Sequence, residues 1–131
     1  MIQSLLSYPD VGLIVLRVVL GIILMVHGWP KIRDLRGNAD DFDMMKYKPG
    51  VLWGTLVALV EFGGGLMLVF GLFTQLVAVL VALQFIFIIL HMKRTDGFVD
   101  GYEFDLLIAA AACALAFMGG GVWGLDSFFL L

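Results

Sequence analysis

The sequence is poor in charged residues, proline and cysteine. Only 15% of its 131 residues are charged, and Cys113 is its one cysteine. A disulfide cycle of the thioredoxin type needs two thiols in one chain, so that chemistry is excluded. The net charge is −3 and the basic residues form no long patch, which argues against nucleic acid as a partner. The acidic cluster Asp40, Asp41 and Asp43 lacks the spacing of a calcium loop, and we predict no metal site.

Apolar residues dominate instead, at 62% of the chain. Each of the four apolar runs is close to the ~20 residues that cross a ~30 Å hydrocarbon core as a helix. The second and third runs are almost adjacent, which predicts a tight antiparallel hairpin. The predicted fold is all-α, a transmembrane up-down four-helix bundle in the lipid bilayer, with one domain over residues 1–131. The predicted spans are residues 11–29, 52–72, 74–92 and 103–123.

Basic residues are distributed unevenly between the two ends of this bundle. Apart from Arg17, every lysine and arginine lies within residues 31–48 or 93–94. We interpret these charged stretches as loops on one side of the membrane. The positive-inside rule then predicts cytoplasmic loops and periplasmic N- and C-termini.

Glu61 lies near the middle of the second apolar run, where a carboxylate needs a partner or a function. Arg17 is the only basic residue inside another run. Counting ~1.5 Å per residue from the cytoplasmic ends of the spans places Arg17, Glu61 and Gln84 at similar depths. We therefore predict an ion pair between Arg17 and Glu61. Two interpretations stay open: the pair only fixes the helix register, or it belongs to a polar pocket that binds a small ligand or relays a proton.

A second polar layer is predicted at the cytoplasmic mouth of the bundle. His27, His91 and Glu103 fall within ~3 Å of one level, with Lys31 just outside. Histidine can change its charge near neutral pH, so His27 is a candidate proton donor to a quinone or a similar head group. Hydrogen bonding at a helix end is the structural alternative for His27. Axial haem ligation by His27 and His91 is another alternative, without a further motif in its support.

Several segments resemble the DoxX family of small integral membrane proteins. The similar segments are residues 16–21, His27-Gly28-Trp29-Pro30-Lys31, residues 60–74, residues 101–104, residues 119–121 and residues 125–127. The resemblance implies a multi-pass protein of the bacterial plasma (inner) membrane, related to the DoxD-type subunit of thiosulfate:quinone oxidoreductase. Carried over by position, the resemblance implies five candidates for a shared functional site: Arg17, His27, Lys31, Glu61 and Glu103.

Three functions follow as hypotheses. The first is a membrane subunit of a quinone-linked redox system, with quinone as the candidate cofactor and His27 and Glu61 as the catalytic candidates. The second is a non-catalytic membrane scaffold for a redox-stress complex, and the third is a small-molecule carrier. The predicted ligand-binding polar core comprises Arg17, Lys31, Gln84, His91 and Glu103. The sequence leaves open whether the protein has a soluble or membrane redox partner, whether it forms a homo-oligomer and whether it is an enzyme.

A different internal structure is expected for each hypothesis. A cavity lined by Arg17, Glu61 and His27 favours the redox subunit. A dry core with paired Arg17 and Glu61 favours the scaffold, and a path open through both faces favours the carrier.

Overall fold

The computed structural model describes residues 2–129, and within this range the chain is helical, with no strand. Four helices are long and apolar enough to cross a membrane. The prediction of an all-α bundle with four membrane-spanning helices is thereby confirmed. In chain order the helices are α1 (Ile2–Leu5), α2 (Pro9–Arg33), α3 (Leu35–Met44), α4 (Gly50–Phe70), α5 (Thr74–Met92), α6 (Phe98–Met118) and α7 (Leu125–Phe129).

Glycines set the register between α2 and α4, which run antiparallel. A Cβ atom on Gly21 would lie 2.6 Å from the carbonyl oxygen of Gly65, and one on Gly28 would lie 2.5 Å from the backbone nitrogen of Phe62. Only glycine permits such close approach of two backbones. Gly21 is therefore opposite Gly65, and Gly28 is opposite Glu61 and Phe62.

The predicted hairpin joins α4 to α5 through a short turn. Gly71 and Phe73 both adopt positive φ angles, of 69° and 50°. The carboxylate of Asp126 accepts hydrogen bonds from the backbone N–H groups of Phe73 at 2.5 Å and Thr74 at 2.8 Å. These bonds satisfy donors that the first turn of α5 leaves free. The segment after α6 thus holds the hairpin turn in place.

The stretch interpreted as a charged loop over residues 31–48 is largely helical, so that interpretation is wrong. α2 continues through Pro30 to Arg33, and α3 follows after Asp34, whose side chain accepts a hydrogen bond from Gly37 N at 2.9 Å. α3 is amphipathic and packs mainly against α4. Its buried side is formed by Asn38, Ala39 and Phe42.

The hydrophobic core lies between α2, α4, α5 and α6. Its most deeply buried members are Leu24, Leu68, Ala78, Val81, Ala112 and Leu115. Many large apolar side chains on the outer faces of the same helices are exposed, as expected for a bundle whose surroundings are lipid.

Candidate functional site

Glu61 is buried in the middle of α4 and is the centre of a polar cluster. Its side chain is 2% exposed, and it lies on a π-helical turn, Leu59–Gly63. Oε2 accepts a hydrogen bond from Lys31 Nζ at 2.6 Å, and Oε1 accepts one from Gln84 Nε2 at 2.9 Å. We call Lys31, Glu61 and Gln84 the Glu61 cluster. It joins α2, α4 and α5 through both oxygens of one carboxylate.

Because the Glu61 carboxylate is buried, it needs hydrogen-bond partners within the protein. An unpaired charge at the centre of a membrane-spanning helix costs ~2.5–3.5 kcal/mol or more, so Glu61 requires its partners. Lys31 differs from Glu61 in being 30% exposed, and its ammonium group connects the buried carboxylate to the surface of the bundle. Among the contacts described for residues 2–129, no donor reaches Gln84 Oε1. Gln84 Oε1 can therefore accept a hydrogen bond from a further group.

A cavity of about 780 Å³ lies beside the cluster, between α3, α4 and α5. Its size falls within the ~300–1,000 Å³ range of small-molecule sites. Lys31 and Gln84 contribute to its lining, whereas Glu61 lies immediately behind them. Most of the lining is apolar. The walls include Phe42, Tyr47, Trp53, Val60, Leu83 and Phe87.

The predicted ion pair between Arg17 and Glu61 is wrong. Arg17 is buried, with only 3% exposure, but its guanidinium group binds backbone oxygens near the opposite end of the bundle from Lys31. It stabilises the end of α4 and the segment that follows α6. Its hydrogen bonds, of 2.7 to 3.3 Å, run to the carbonyl oxygens of Leu68, Val69, Gly120 and Trp123.

The helix register explains this error. The depth count took Trp29 and Leu52 as helix ends, whereas α2 extends to Arg33 and α4 begins at Gly50. Since Gly28 is opposite Glu61, Arg17 lies 11 residues from the level of Glu61, or ~16 Å along the axis. No side chain spans that distance. Lys31, assigned to the mouth, is the cation that pairs with Glu61.

The structure does not bring the predicted mouth residues, His27, His91 and Glu103, into contact with one another. The His27 ring packs against Phe104 with 5.5 Å between centroids, and the His91 ring packs against Phe87 at 4.4 Å. Both histidines are exposed, as is Glu103. Glu103 accepts a 3.5 Å hydrogen bond from Asp100 N at the start of α6. Within the described residues, none of these contacts joins the mouth residues to the Glu61 cluster.

A second ion pair with a buried carboxylate was missed by the sequence analysis. Lys93 Nζ lies 2.7 Å from Asp105 Oδ2, and Asp105 is 5% exposed. The pair connects the residue that follows α5 to α6. The sequence does contain a signal for Asp105, because Asp105, Ala109 and Ala112 follow the helical period that forms the buried face of α6.

Comparison with known proteins assigns the chain to a family. The DoxX family profile matches residues 12–94. The chain belongs to the DoxX family. The matched range of this DoxX protein contains α3, α4 and the whole Glu61 cluster, whereas Asp105 lies outside it.

Two relatives of this DoxX protein match most of its length. "Putative oxidoreductase CatD" of Bacillus subtilis (strain 168) is 34% identical over 119 residues, which is 91% of this chain and 87% of the relative. "Inner membrane protein YqjF" of Escherichia coli (strain K12) is 33% identical over 124 residues, 89% of this chain and 91% of the relative. No solved structure matches the chain significantly. With its four apolar helices, this DoxX protein is a multi-pass protein of the bacterial inner membrane in contact with the lipid bilayer.

Proposed function

We propose that this protein binds a quinone in the cavity beside the Glu61 cluster and acts as the membrane subunit of a quinone-linked redox system. The proposal rests on a ligand-sized, mostly apolar cavity with Lys31 and Gln84 in its lining. A quinone has the matching chemistry, a flat apolar ring with carbonyl oxygens. Similarity to a protein named as an oxidoreductase agrees with this proposal.

The cluster residues have distinct roles in this proposal. Lys31 Nζ would donate a hydrogen bond to a quinone carbonyl, and Gln84 Oε1 would accept one from a hydroxyl group of the reduced form. When bound, the quinone supplies the redox chemistry by taking up two electrons and two protons. The electrons come from a partner oxidoreductase subunit. Lys31 and Glu61, 2.6 Å apart, would transfer these two protons one after the other from the exposed side of Lys31 to the cavity.

This assignment differs from the one made from the sequence. His27 was the predicted proton donor, but its ring packs against Phe104 and does not line the cavity. The proposal gives proton transfer to Lys31 and Glu61. From the positive-inside rule we further propose that α3, the end of α2 and the end of α5 lie on the cytoplasmic side, where a soluble redox partner has access to them.

Quinone retention after purification tests the proposal. The protein and its variants are purified in mild detergent, and bound quinones are quantified by mass spectrometry per mole of protein. Gln84→Leu removes a polar cavity group, so we expect about fivefold to tenfold less bound quinone, corresponding to the loss of one hydrogen bond. The matched control is Gln75→Leu on the same helix, because Gln75 donates to Ala116 O at 3.0 Å and is exposed. Equal quinone contents in both variants would contradict the proposal.

A further inference from the structure

The cavity occupies a gap between two diverging helices. Near the hairpin, α4 and α5 are in close contact, and a Cβ atom on Gly64 would lie 3.1 Å from Val77. Farther from the hairpin, Glu61 and Gln84 connect the two helices, nine residues before the end of α4 and ten residues after the start of α5, or ~14–15 Å along the axis. Beyond this bridge the first half of α4, Gly50–Ala58, packs chiefly against α3 and α2.

The outer edge of this gap faces lipid. Leu56 on α4 and Leu80 and Leu83 on α5 line the cavity, yet they are 44%, 44% and 61% exposed. In membrane-spanning helices, exposed apolar side chains contact acyl chains. The cavity is therefore continuous with the hydrocarbon core at this edge.

The edge nearest the basic segments is polar and is partly covered: the exposed residues Asp41, Lys46 and Lys48 line it, and α3 and two aromatic rings lie across it. α3 lies along α4, where Asn38 Nδ2 donates to Gly54 O at 2.8 Å, and buried Phe42 contributes to the cavity wall. Tyr47 packs edge-on against Phe42 and against Phe87 of α5, with centroid distances of 6.4 and 5.7 Å. These rings connect the segment after α3 to α5 on the side toward water.

We infer that the ligand reaches this cavity laterally from the bilayer, and that a long apolar tail remains between Leu56 and Leu83 when the head group is bound. The inference rests on the proposed quinone function and adds the ligand class, an isoprenoid-tailed quinone rather than a water-soluble one. The head group contacts Lys31 and Gln84, which are the lining residues that belong to the Glu61 cluster, whereas the other polar lining residues, Asn38, Asp41, Lys46 and Lys48, lie on α3 or in the segment after it. The tail has the same surroundings in the gap as in the bilayer.

Tryptophan fluorescence provides a direct measure of binding. Trp53 lines the cavity, while Trp29 and Trp123 do not, so a background with Trp29→Phe and Trp123→Phe reports the cavity alone. The protein is reconstituted in phosphatidylcholine vesicles and titrated with two probes, a benzoquinone with a long isoprenoid tail and the same head group without a tail. Saturable quenching reports binding, because quenching by quinone dissolved in the bilayer does not saturate.

A pair of substitutions blocks the gap. Leu80→Phe with Leu83→Phe adds bulk at the lipid-facing edge of the cavity. The matched control, Leu76→Phe with Val79→Phe, has the same spacing on α5, also at exposed positions, but lies outside the lining. We expect the blocked variant to bind the tailed quinone about tenfold more weakly than the control, and the tail-free quinone within about twofold.

The other outcomes separate this inference from the function on which it rests. Equal affinity of the blocked and control variants for the tailed quinone shows that the tail is not in the gap. The proposed function then stands if Gln84→Leu still weakens the binding of both probes. If the blocked variant loses affinity equally for both probes, the phenylalanines obstruct the head group. That result also overturns the inference. If neither probe gives saturable quenching of Trp53, the quinone function and the lateral route both fail.

Discussion

At the scale of single residues, the two buried charges of the first two spanning helices have different partners. Glu61 pairs with Lys31, whereas Arg17 binds backbone carbonyl oxygens. Sequence reasoning identified Glu61, Lys31 and Gln84 as polar residues that needed a role. It could not pair them, because pairing depends on a helix register that Gly21 and Gly28 set through backbone contact.

Double-mutant cycles test this pairing. We expect Lys31→Met and Glu61→Gln to be non-additive, with a coupling free energy of ~1 kcal/mol or more, because each change removes the same contact. Arg17→Gln and Glu61→Gln lie ~16 Å apart along the axis and are expected to add within ~0.5 kcal/mol. Unfolding of each variant in detergent supplies the free energies. Strong coupling between Arg17 and Glu61 would refute the register described here.

Asp105 provides a comparison for Glu61, since both are buried carboxylates paired with a lysine. We expect Asp105→Asn to destabilise the protein by ~1–3 kcal/mol, because a buried charge-assisted hydrogen bond is weakened. Quinone content should not change, as neither Asp105 nor Lys93 lines the cavity. Glu61→Gln should lower both stability and quinone content. Thermal unfolding and mass spectrometry of the two variants measure the difference, and a similar loss of quinone in both would show that destabilisation alone accounts for it.

At the scale of elements, hydropathy predicted the spanning helices but not α3. A span requires only a sufficiently long apolar run, which can be read along the chain. α3 is mostly polar, and its helical structure depends on an Asp34 cap and on burial of a few side chains against α4. That surface exists only after α4 has folded beside it. The interpretation of residues 31–48 as a loop failed for this reason.

The packing of α3 can be tested through Phe42, which is buried at its interface with the cavity. We expect Phe42→Ala to cost ~3 kcal/mol or more and to lower the hydrogen-exchange protection of the α3 amides, because the helix loses its largest buried anchor. Met44→Ala is the control, since Met44 is 81% exposed on the same helix. Exchange measured by mass spectrometry should show little change for the control. Unaltered protection of α3 in Phe42→Ala would contradict the described packing.

At the scale of the whole molecule, the proposed orientation follows from the basic residues at one end of the bundle. The segments before α2 and after α6 lie at the other end, where Asp10 accepts a hydrogen bond from Val122 N at 3.2 Å. We expect a reporter that works only in the periplasm to be active when fused to the C-terminus, and a cytoplasmic reporter to be inactive there. Both reporters inserted between Met92 and Phe98 should give the reverse pattern. Cytoplasmic activity at the C-terminus would invert the orientation.

The two ends of the bundle also differ in how their helices are connected. At one end, Arg17 binds carbonyl groups from α4 and from the segment after α6, and Asp126 caps α5. These bonds connect the hairpin turn to α2 and to the segment after α6. Toward the other end, the cavity separates α4 from α5. We expect a force applied through α3 to change the cavity width more than the geometry around Arg17.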